Sequence, residues 1–322
     1  MSRPVAPARA EWPELVYEEW KDTLDTLHRW TQIVGKIRLT QTPWTNHSWH
    51  VPLYVTARGL TTSPMPYGAR TFEIAFDFLE HRLRIDTDDG ASADVALRPQ
   101  TVADFYRAVF TALAGLGIDV AIRPMPSEIP DAVPLDQDRV HASYDADAAG
   151  RFWLALVRAD RVCKTFRSRF IGKVSPVHFF WGSFDLAVTR FSGRRAPPHP
   201  GGVPNLPDWV AREAYSHEVS SAGFWPGGPQ FPEAIFYSYA YPEPKGFRDV
   251  PVRPAAARFD PALGEFVLPY AAVRAAADPE DVLLEFLQST YEAAAERGGW
   301  DRESLEATFP PEAFRNAPAE LR

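Results

Sequence analysis

The chain has 322 residues, of which 45% are hydrophobic, 24% are charged and 13% are aromatic. This composition is typical of a folded globular protein and excludes a disordered, collagen-like or coiled-coil chain. The net charge of -8 argues against general nucleic-acid binding, which needs a concentrated positive field, and the single cysteine excludes a disulfide scaffold.

Length and hydropathy set further bounds. A chain of 322 residues suits about two domains or one large one. No segment approaches the roughly 18 uninterrupted apolar residues of a membrane helix, and residues 1–13 contain no apolar core of the kind found in signal peptides. We therefore expect a soluble cytoplasmic protein without a membrane or nucleic-acid partner.

The first half of the chain predicts a helix, a group of strands and a second helix. Apolar residues recur every three or four positions over residues 14–38, which predicts an amphipathic helix. Thr101 is the predicted N-cap of a helix that ends at glycines soon after residue 114. Between and beyond them, strands are predicted at 50–59, 71–78, 82–87, 93–98 and 119–123.

The second half predicts the same order of elements. Residues 147–170 form a predicted helix with an apolar stripe along one side. Asp278 and Pro279 predict the start of a later helix, which ends at glycines near residue 298. The predicted strands between the two helices are 178–191, 234–241, 257–259 and 265–268.

Local sequence also relates the two halves. Residues 29–59 and 160–193 each pass from a basic helix end through proline to a histidine-led aromatic strand. We infer an α+β fold built by tandem duplication of a helix–antiparallel strands–helix unit, with a pseudo-two-fold axis. The predicted halves are 1–130 and 131–322, which meet within residues 124–146. Chance likeness between two α+β halves is the alternative.

Histidines and acids near these strands are the candidates for catalysis. His50 and His178 lie in the two matched strands, and Asp185 follows His178. His217 stands beside Glu218 among hydroxyl residues, a setting that suits acid–base catalysis because histidine titrates near neutral pH. The structural alternative is a histidine that bonds to the backbone or caps a turn.

The same histidines supply enough ligands for a divalent metal ion such as zinc or iron. The predicted ligands are His47, His50, His178 and His217. Residues three apart on a regular strand point to opposite faces, so His47 and His50 can share an ion only if residues 46–49 form a loop or bulge.

Arginines and aromatics around the strands are the predicted substrate-binding residues. Arg58 and Arg190 close the two matched strands and suit a carboxylate or phosphate, with exposed strand-end arginines as the alternative. Tyr237 and Tyr239 share one strand face, which suits an apolar or aromatic ligand. The remaining members of this set are Tyr54, Trp181 and Trp225.

Residues 194–208 form a predicted long loop rich in proline and glycine. Loops of this length within a compact domain are usually functional or disordered, and prolines lower the entropy cost of ordering them. We expect a lid over a pocket. A surface excursion or an oligomer contact is the alternative.

Three segments carry a family resemblance: NHSWHVPLYVTARGLTTSPMPYG, SPVHFFWGSFDLAVTRFSGRRAPPHPGGVPN and AYSHEVSSAGFWPGG. They resemble a bacterial family of uncharacterised proteins, a domain of unknown function of about this length. The resemblance extends over nearly the whole chain. It implies no established activity and assigns no functional residues.

Together these features favour a small-molecule enzyme of hydrolase or lyase type. Its pocket would be rich in histidine, lined by aromatics, placed between the two halves and assisted by a metal ion. The hypothesis requires His50, His178 and His217 to converge with Glu218 or Asp185. A non-catalytic binding or sensor protein is one alternative, and a structural partner that uses the proline-rich loop as an interface is another.

Overall fold

Two antiparallel sheets, each introduced by a long helix, organise the protein in a computed structural model that describes residues 12–308. The combination of helices with antiparallel sheets confirms the predicted α+β class. Within the described residues, no helix is both long and apolar enough to span a membrane.

The first half contains a six-stranded sheet between two helices. Helix α1 (Tyr17–Gln41) precedes the sheet and helix α2 (Val102–Gly115) follows it. The strands are β1 (Tyr54–Val55), β2 (Gly59–Thr61), β3 (Met65–Tyr67), β4 (Arg70–Asp77), β5 (Arg82–Thr87) and β6 (Ser92–Ala96). Their order is β1-β2-β4-β5-β6, with β3 also paired to β4.

The second half also contains a helix followed by a six-stranded antiparallel sheet. Its helices are α3 (Ala146–Ser168), α4 (Asp208–Ala214), α5 (Tyr270–Arg274), α6 (Pro279–Arg297) and α7 (Arg302–Leu305). Its strands are β7 (His178–Phe180), β8 (Asp185–Arg195), β9 (His217–Trp225), β10 (Ile235–Tyr241), β11 (Arg258–Asp260) and β12 (Glu265–Pro269). Their order in the sheet is β11-β12-β10-β9-β8-β7.

Two predicted helix starts are confirmed by their capping hydrogen bonds. The Thr101 hydroxyl accepts from the backbone N–H of Asp104 at 3.0 Å, and the Asp278 carboxylate accepts from that of Asp281 at 3.1 Å. Each bond satisfies an amide that has no partner within its helix. These local signals do not depend on the rest of the fold, which explains why they could be identified from sequence.

The strand predicted at 50–59 is wrong in its first part. Residues 46–48 form a 3-10 turn in which His47 and Ser48 adopt φ angles of 58° and 55°. The chain remains irregular until β1, and a second turn separates β1 from β2. The rule that residues three apart on a strand point to opposite faces therefore does not apply to His47 and His50.

The strand predicted at 178–191 is a hairpin. Residues 181–184 turn the chain between β7 and β8, and Phe184 has a φ of 60°. The segment predicted as a strand at 119–123 is irregular. Because the hairpin reverses direction, residues on either side of the turn belong to different strands.

The hydrophobic core is continuous through both halves. Leu53 and Phe179 exchange two backbone hydrogen bonds of 2.9 and 2.8 Å, which join the two sheets edge to edge. The core extends from Trp12 to Trp300 and includes residues from both sheets. The division into halves 1–130 and 131–322 stays a prediction.

Candidate functional site

One face of the second sheet packs against α3 and α6, while the other carries polar and aromatic side chains. Strand pairing places Ala187, Gly223 and Tyr237 in one row across β8, β9 and β10. Side chains two positions along a strand share its face. Asp185 and Tyr239 therefore point to the same side of the sheet as Tyr237.

A cleft of about 490 Å³ opens on this polar face. We call it the acidic cleft because Glu128, Asp185 and Glu265 line it. Most of its other polar or aromatic lining side chains carry rings: His199, Tyr215, Trp225, Tyr237, Tyr239 and Tyr241. These residues come from four strands and from the connections before α3 and around α4, so no short motif contains the site.

Tyr237 and Asp185 form the central contact of the acidic cleft. The Tyr237 hydroxyl donates to Asp185 Oδ2, and the Ser183 hydroxyl donates to Asp185 Oδ1. Asp185 is only 8% exposed. Gly223 belongs to β9, which lies between the strands of Asp185 and Tyr237. A Cβ atom at Gly223 would be 2.7 Å from the Tyr237 hydroxyl oxygen. The absence of a side chain at Gly223 thus allows the phenol to reach the carboxylate.

A second pair of phenols lies beside the first. The hydroxyl oxygens of Tyr215 and Tyr239 are 2.7 Å apart. Burial raises the pKa of Tyr215 to about 12 and that of Tyr239 well above its ordinary value. These phenols therefore remain protonated at neutral pH and can donate hydrogen bonds to an occupant of the cleft.

The carboxyl groups of the acidic cleft have unusual protonation behaviour. Burial, together with repulsion from Asp185, raises the pKa of Glu128 to about 7 and that of Glu265 to about 8. Burial also raises the pKa of Asp185, although hydrogen bonds from Ser183 and Tyr237 act in the opposite direction. Among residues 12–308, no lysine or arginine acts on the pKa of any of the three. The cleft thus holds ionisable groups that change state near neutral pH.

The loop predicted at 194–208 forms one wall of the acidic cleft. Its first two residues continue β8, and the remainder passes over the polar face before α4. The His199 ring stacks on Tyr215 with centroids 4.8 Å apart, and the Pro204 carbonyl accepts from the Glu128 N–H at 2.8 Å. The loop therefore positions two lining residues, and its role as a moving lid stays a prediction.

The predicted histidines lie at the far edge of the same face. His47 Nε2 accepts from Lys173 Nζ at 2.6 Å, and His47 Nδ1 lies 2.9 Å from the Ala214 carbonyl oxygen. The rings of His47 and His217 have centroids 5.8 Å apart. Burial, reinforced by nearby arginines, lowers the pKa of His178 to about 3, so its ring is neutral at physiological pH.

The structure does not assemble the predicted metal ligands. Among residues 12–308, no group of three or more His, Cys, Asp and Glu side chains is arranged to hold a metal ion. Both ring nitrogens of His47 already have partners, and His50 Nδ1 faces the Thr45 backbone at 3.3 Å. The predicted set of His47, His50, His178 and His217 is therefore not a ligand cluster here.

The predicted catalytic set is likewise divided. Glu218 follows His217 directly on β9, and adjacent strand residues point to opposite faces. Glu218 bonds to Arg194 at 2.6 Å on the side away from the acidic cleft. Asp185 lies in the cleft, whereas His50 and His178 do not line it. The convergence of His50, His178 and His217 with Glu218 or Asp185 is absent because the two strands that suggested it are interrupted by turns.

Neither predicted arginine anchor lies in the acidic cleft. Arg58 is half exposed and pairs with Asp77 at 2.7 Å. Arg190 is fully buried on the opposite sheet face, with its guanidinium carbon 3.5 Å from the centroid of Phe166 and 4.2 Å from that of Tyr291. Its aromatic cage makes Arg190 a core residue.

The predicted aromatic residues separate into two groups. Trp225, Tyr237 and Tyr239 line the acidic cleft, and their role in substrate binding stays a prediction. Trp181 is 5% exposed and donates its indole N–H to a backbone carbonyl at 2.8 Å, which makes it structural. Tyr54 lies beside His178, with its hydroxyl 3.5 Å from His178 Nε2.

The predictions from sequence missed several lining residues, among them Glu128, His199, Tyr215 and Glu265. Glu128 and His199 lie in irregular segments, where periodicity gives no orientation. Glu265 begins β12, and only the pairing of β12 with β10 reveals which face it shares. The alternating tyrosines of β10 were the one usable signal for the face that contains the cleft.

Comparison with known proteins identifies a family but no activity. A search of curated proteins and a search of solved structures each gave no significant match. The sequence profile of a family of unknown function, DUF5996, matches residues 12–307, and so confirms the resemblance to a domain of unknown function. The chain therefore belongs to the family of unknown function DUF5996.

Proposed function

We propose that this protein is a small-molecule enzyme of hydrolase or lyase type with its active site in the acidic cleft. The observation that supports this most is the placement of Glu128, Asp185 and Glu265 around one aromatic cleft without a basic partner among residues 12–308. Carboxyl groups, instead of the predicted histidines, would carry out the reaction in this site. Such a reaction requires no set of metal ligands.

General acid–base catalysis is the mechanism that these carboxyls suit. A group is most effective when its pKa lies near the working pH, and burial brings the pKa of Glu128 to about 7 and that of Glu265 to about 8. Near neutral pH one carboxylate accepts a proton from water or substrate, while a protonated carboxyl donates one to the leaving group. The hydroxyl group of Tyr237, which is oriented by its hydrogen bond to Asp185, lies in the same cleft.

The charge and walls of the cleft define the substrate class as a cationic small molecule with an apolar or aromatic part. Carboxylates attract a cation, and the faces of tyrosine and tryptophan rings bind ammonium groups. The lining supplies five such rings, from Tyr215, Trp225, Tyr237, Tyr239 and Tyr241. A volume of about 490 Å³ lies in the usual range for small-molecule sites.

A non-catalytic binding or sensor protein is the second candidate. The wall formed by loop 194–208, with His199 stacked on Tyr215, favours retention of a ligand as much as its conversion. Binding without turnover would support this candidate over the enzyme.

Binding is tested by calorimetric titration with benzyltrimethylammonium, a cation whose charge does not vary with pH, against neutral benzyl alcohol. The cation should bind more tightly at pH 9 than at pH 6, because Glu128 and Glu265 ionise over this interval. Glu265→Gln should weaken binding roughly tenfold, whereas Glu80→Gln, an exposed control, should leave it unchanged. Equal affinity for both probes would contradict the cationic substrate class.

Turnover is tested separately with p-nitrophenyl esters that carry a trimethylammonium, a neutral or an anionic acyl group. The proposal expects hydrolysis of the cationic ester and its loss in Glu128→Gln or Glu265→Gln. Cation binding without turnover of the ester series would favour the sensor. If the protein neither binds the cation nor hydrolyses any of the esters, the acidic cleft is not a functional site.

We also propose that the two halves arose by duplication. Each half passes from a helix through an antiparallel sheet to another helix, and Leu53 and Phe179, beside or within the first strand of each sheet, pair in an antiparallel manner. Antiparallel pairing between the leading edges of the two sheets is what a two-fold axis between the halves would produce. Superposition of residues 17–115 on 146–297 should align β1 with β7 and β4 with β9; an alignment that needs a different strand order would contradict it.

A further inference from the structure

A second group of buried polar side chains lies between α1, β1 and β7. Arg38 is 6% exposed and His178 is 1% exposed. Arg38 Nε and Nη1 and His178 Nδ1 are enclosed without a hydrogen-bond partner among residues 12–308. Tyr54 lies between them, with its ring centroid 5.5 Å from the Arg38 guanidinium carbon and its hydroxyl 3.5 Å from His178 Nε2. Buried polar groups are normally hydrogen-bonded, so three unpaired nitrogens in one place need an explanation.

The charges that act on His178 have one sign, since Arg38 and Arg167 both lower the pKa of its ring. Within the described residues, Arg38 has no carboxylate partner, and Arg167 donates its Nε–H to the Ser175 carbonyl at 2.7 Å. A buried guanidinium without a counter-charge is costly, because desolvation is not offset by an ion pair.

Arg190 shows that not every unpaired arginine implies a ligand. Its guanidinium carbon lies within 5.0 Å of the centroids of three rings, Phe166, Phe170 and Tyr291, and it donates to the Phe166 carbonyl oxygen. Those groups partly replace a counter-ion. Arg38 has a single ring beside it, that of Tyr54, whose hydroxyl is also its one side-chain neighbour of opposite polarity; its Nε and Nη1 have no acceptor among the described residues.

The geometry points to a binding site for a small oxyanion, the carboxylate or phosphate group of a ligand, between Arg38, Tyr54 and His178. A guanidinium binds two oxyanion oxygens through parallel N–H donors, and a neutral imidazole or a phenol supplies a further donor. None of these three residues lines the acidic cleft. Asp185 is the cleft residue closest to the site in the sheet, since it pairs with Phe180 on β7, while strands β8 and β9 separate His178 from Tyr237.

Thermal unfolding with inorganic phosphate, and separately with acetate, at constant ionic strength balanced by chloride, tests the site. A saturable rise in Tm on the order of 5 °C is expected at hundredfold excess over Kd. Arg38→Gln should abolish the rise, and Arg58→Gln, which removes an exposed arginine paired with Asp77, should retain it. A response to phosphate alone assigns a phosphate site, and a response to acetate alone or to both assigns a site that accepts carboxylates. No saturable response to either, or an equal response in Arg38→Gln, would overturn the inference.

A second measurement does not depend on the folding of Arg38→Gln. In wild-type protein labelled with 15N-histidine, the anion that raises Tm should shift the ring nitrogen resonances of His178, assigned by comparison with His178→Gln. The resonances of His81, which bonds to the Tyr144 hydroxyl at 2.9 Å, serve as the control. A His178 ring that does not respond, or that responds only as much as His81, would overturn the site.

Discussion

Tyr237 reaches across an entire strand to bond with Asp185. The phenol belongs to β10 and the carboxylate to β8, and β9 runs between them. The contact passes over Gly223, where a Cβ atom would lie 1.8 Å from the Leu186 carbonyl oxygen and 2.7 Å from the Tyr237 hydroxyl oxygen. The arrangement of the acidic cleft therefore depends on a glycine that has no chemical role of its own.

Gly223→Ala should strongly destabilise the protein. The new methyl group would contact backbone that cannot move without separating β8 from β9, so we expect a loss of about 3 kcal/mol or more in the free energy of unfolding. Urea denaturation measures this loss. Gly150→Ala is the matched control because no atom lies within 4 Å of its added Cβ, and alanine within α3 should stabilise by about 0.5–1 kcal/mol. Similar behaviour of the two variants would contradict the close approach at Gly223.

Tyr237→Phe should remove one of the two side-chain hydrogen bonds to buried Asp185. A hydrogen bond contributes about 1 kcal/mol between neutral groups and about 1.5–3 kcal/mol when the acceptor is charged, so denaturation at pH 8 should show a loss of about 1–3 kcal/mol. Because the Tyr237 bond lowers the pKa of Asp185, the variant should raise that pKa further. A double-mutant cycle with Asp185→Asn measures the coupling, and additive losses would show that the two side chains do not interact.

Glu265→Gln should stabilise the protein only at higher pH. Folding raises the pKa of this carboxyl from 4.5 to about 8. Below pH 4.5 the group is protonated in both states, and between about 4.5 and 8 the unfolded chain ionises first, so the folded state loses stability as pH rises. Glutamine removes this penalty, which we expect to raise stability by about 2 kcal/mol at pH 8.5 and to leave it unchanged at pH 4.

The control for this pH dependence is Glu80→Gln, whose carboxylate is 58% exposed. It should alter stability by about 0.5 kcal/mol or less at either pH. A gain for Glu265→Gln that is the same at pH 4 and pH 8.5 would contradict a raised pKa and would indicate a packing effect.

Arg190→Ala should damage the fold, whereas Arg58→Ala should not. Arg190 fills a buried cage of Phe166, Phe170 and Tyr291, and its removal leaves a cavity that should cost about 3 kcal/mol. Arg58 is half exposed in an ion pair with Asp77, a contact usually worth about 1 kcal/mol or less. Thermal and urea unfolding distinguish the two, and equal losses would show that the aromatic cage is not a major part of the core.

Helices and hairpins with strong local signals were predictable. The helix expected at 14–38 runs from Tyr17 to Gln41, and Thr101 and Asp278 cap their helices as predicted. Strand β9 was missed because its centre contains Ser220 and Ser221, small polar residues that are buried in the sheet and show no apolar alternation. A buried serine there depends on neighbours in other strands, such as Thr189, whose hydroxyl lies 2.9 Å from that of Ser221.

The candidate site was less predictable than the fold. Asp185, Trp225, Tyr237 and Tyr239 were selected as site residues and line the acidic cleft, but they were assigned to a pocket shared with His50, His178 and His217. That pocket assumed two unbroken strands. Turns at residues 46–48 and 181–184 changed the direction of the chain, so these histidines do not line the cleft that the carboxyls share.

The sequence by itself determined the α+β class, the main helices and their caps, and the positions of strands β4 and β5, because these features depend on residues within a few positions of one another. Only the tertiary structure decided that Glu128, Asp185 and Glu265 meet in one cleft and that Arg38 and His178 lie unpaired beside Tyr54. Contacts between residues so distant in the sequence depend on strand register and on the path of long connections. The unusual pKa values follow from the same cause, since burial and the proximity of like charges arise only when distant segments pack together.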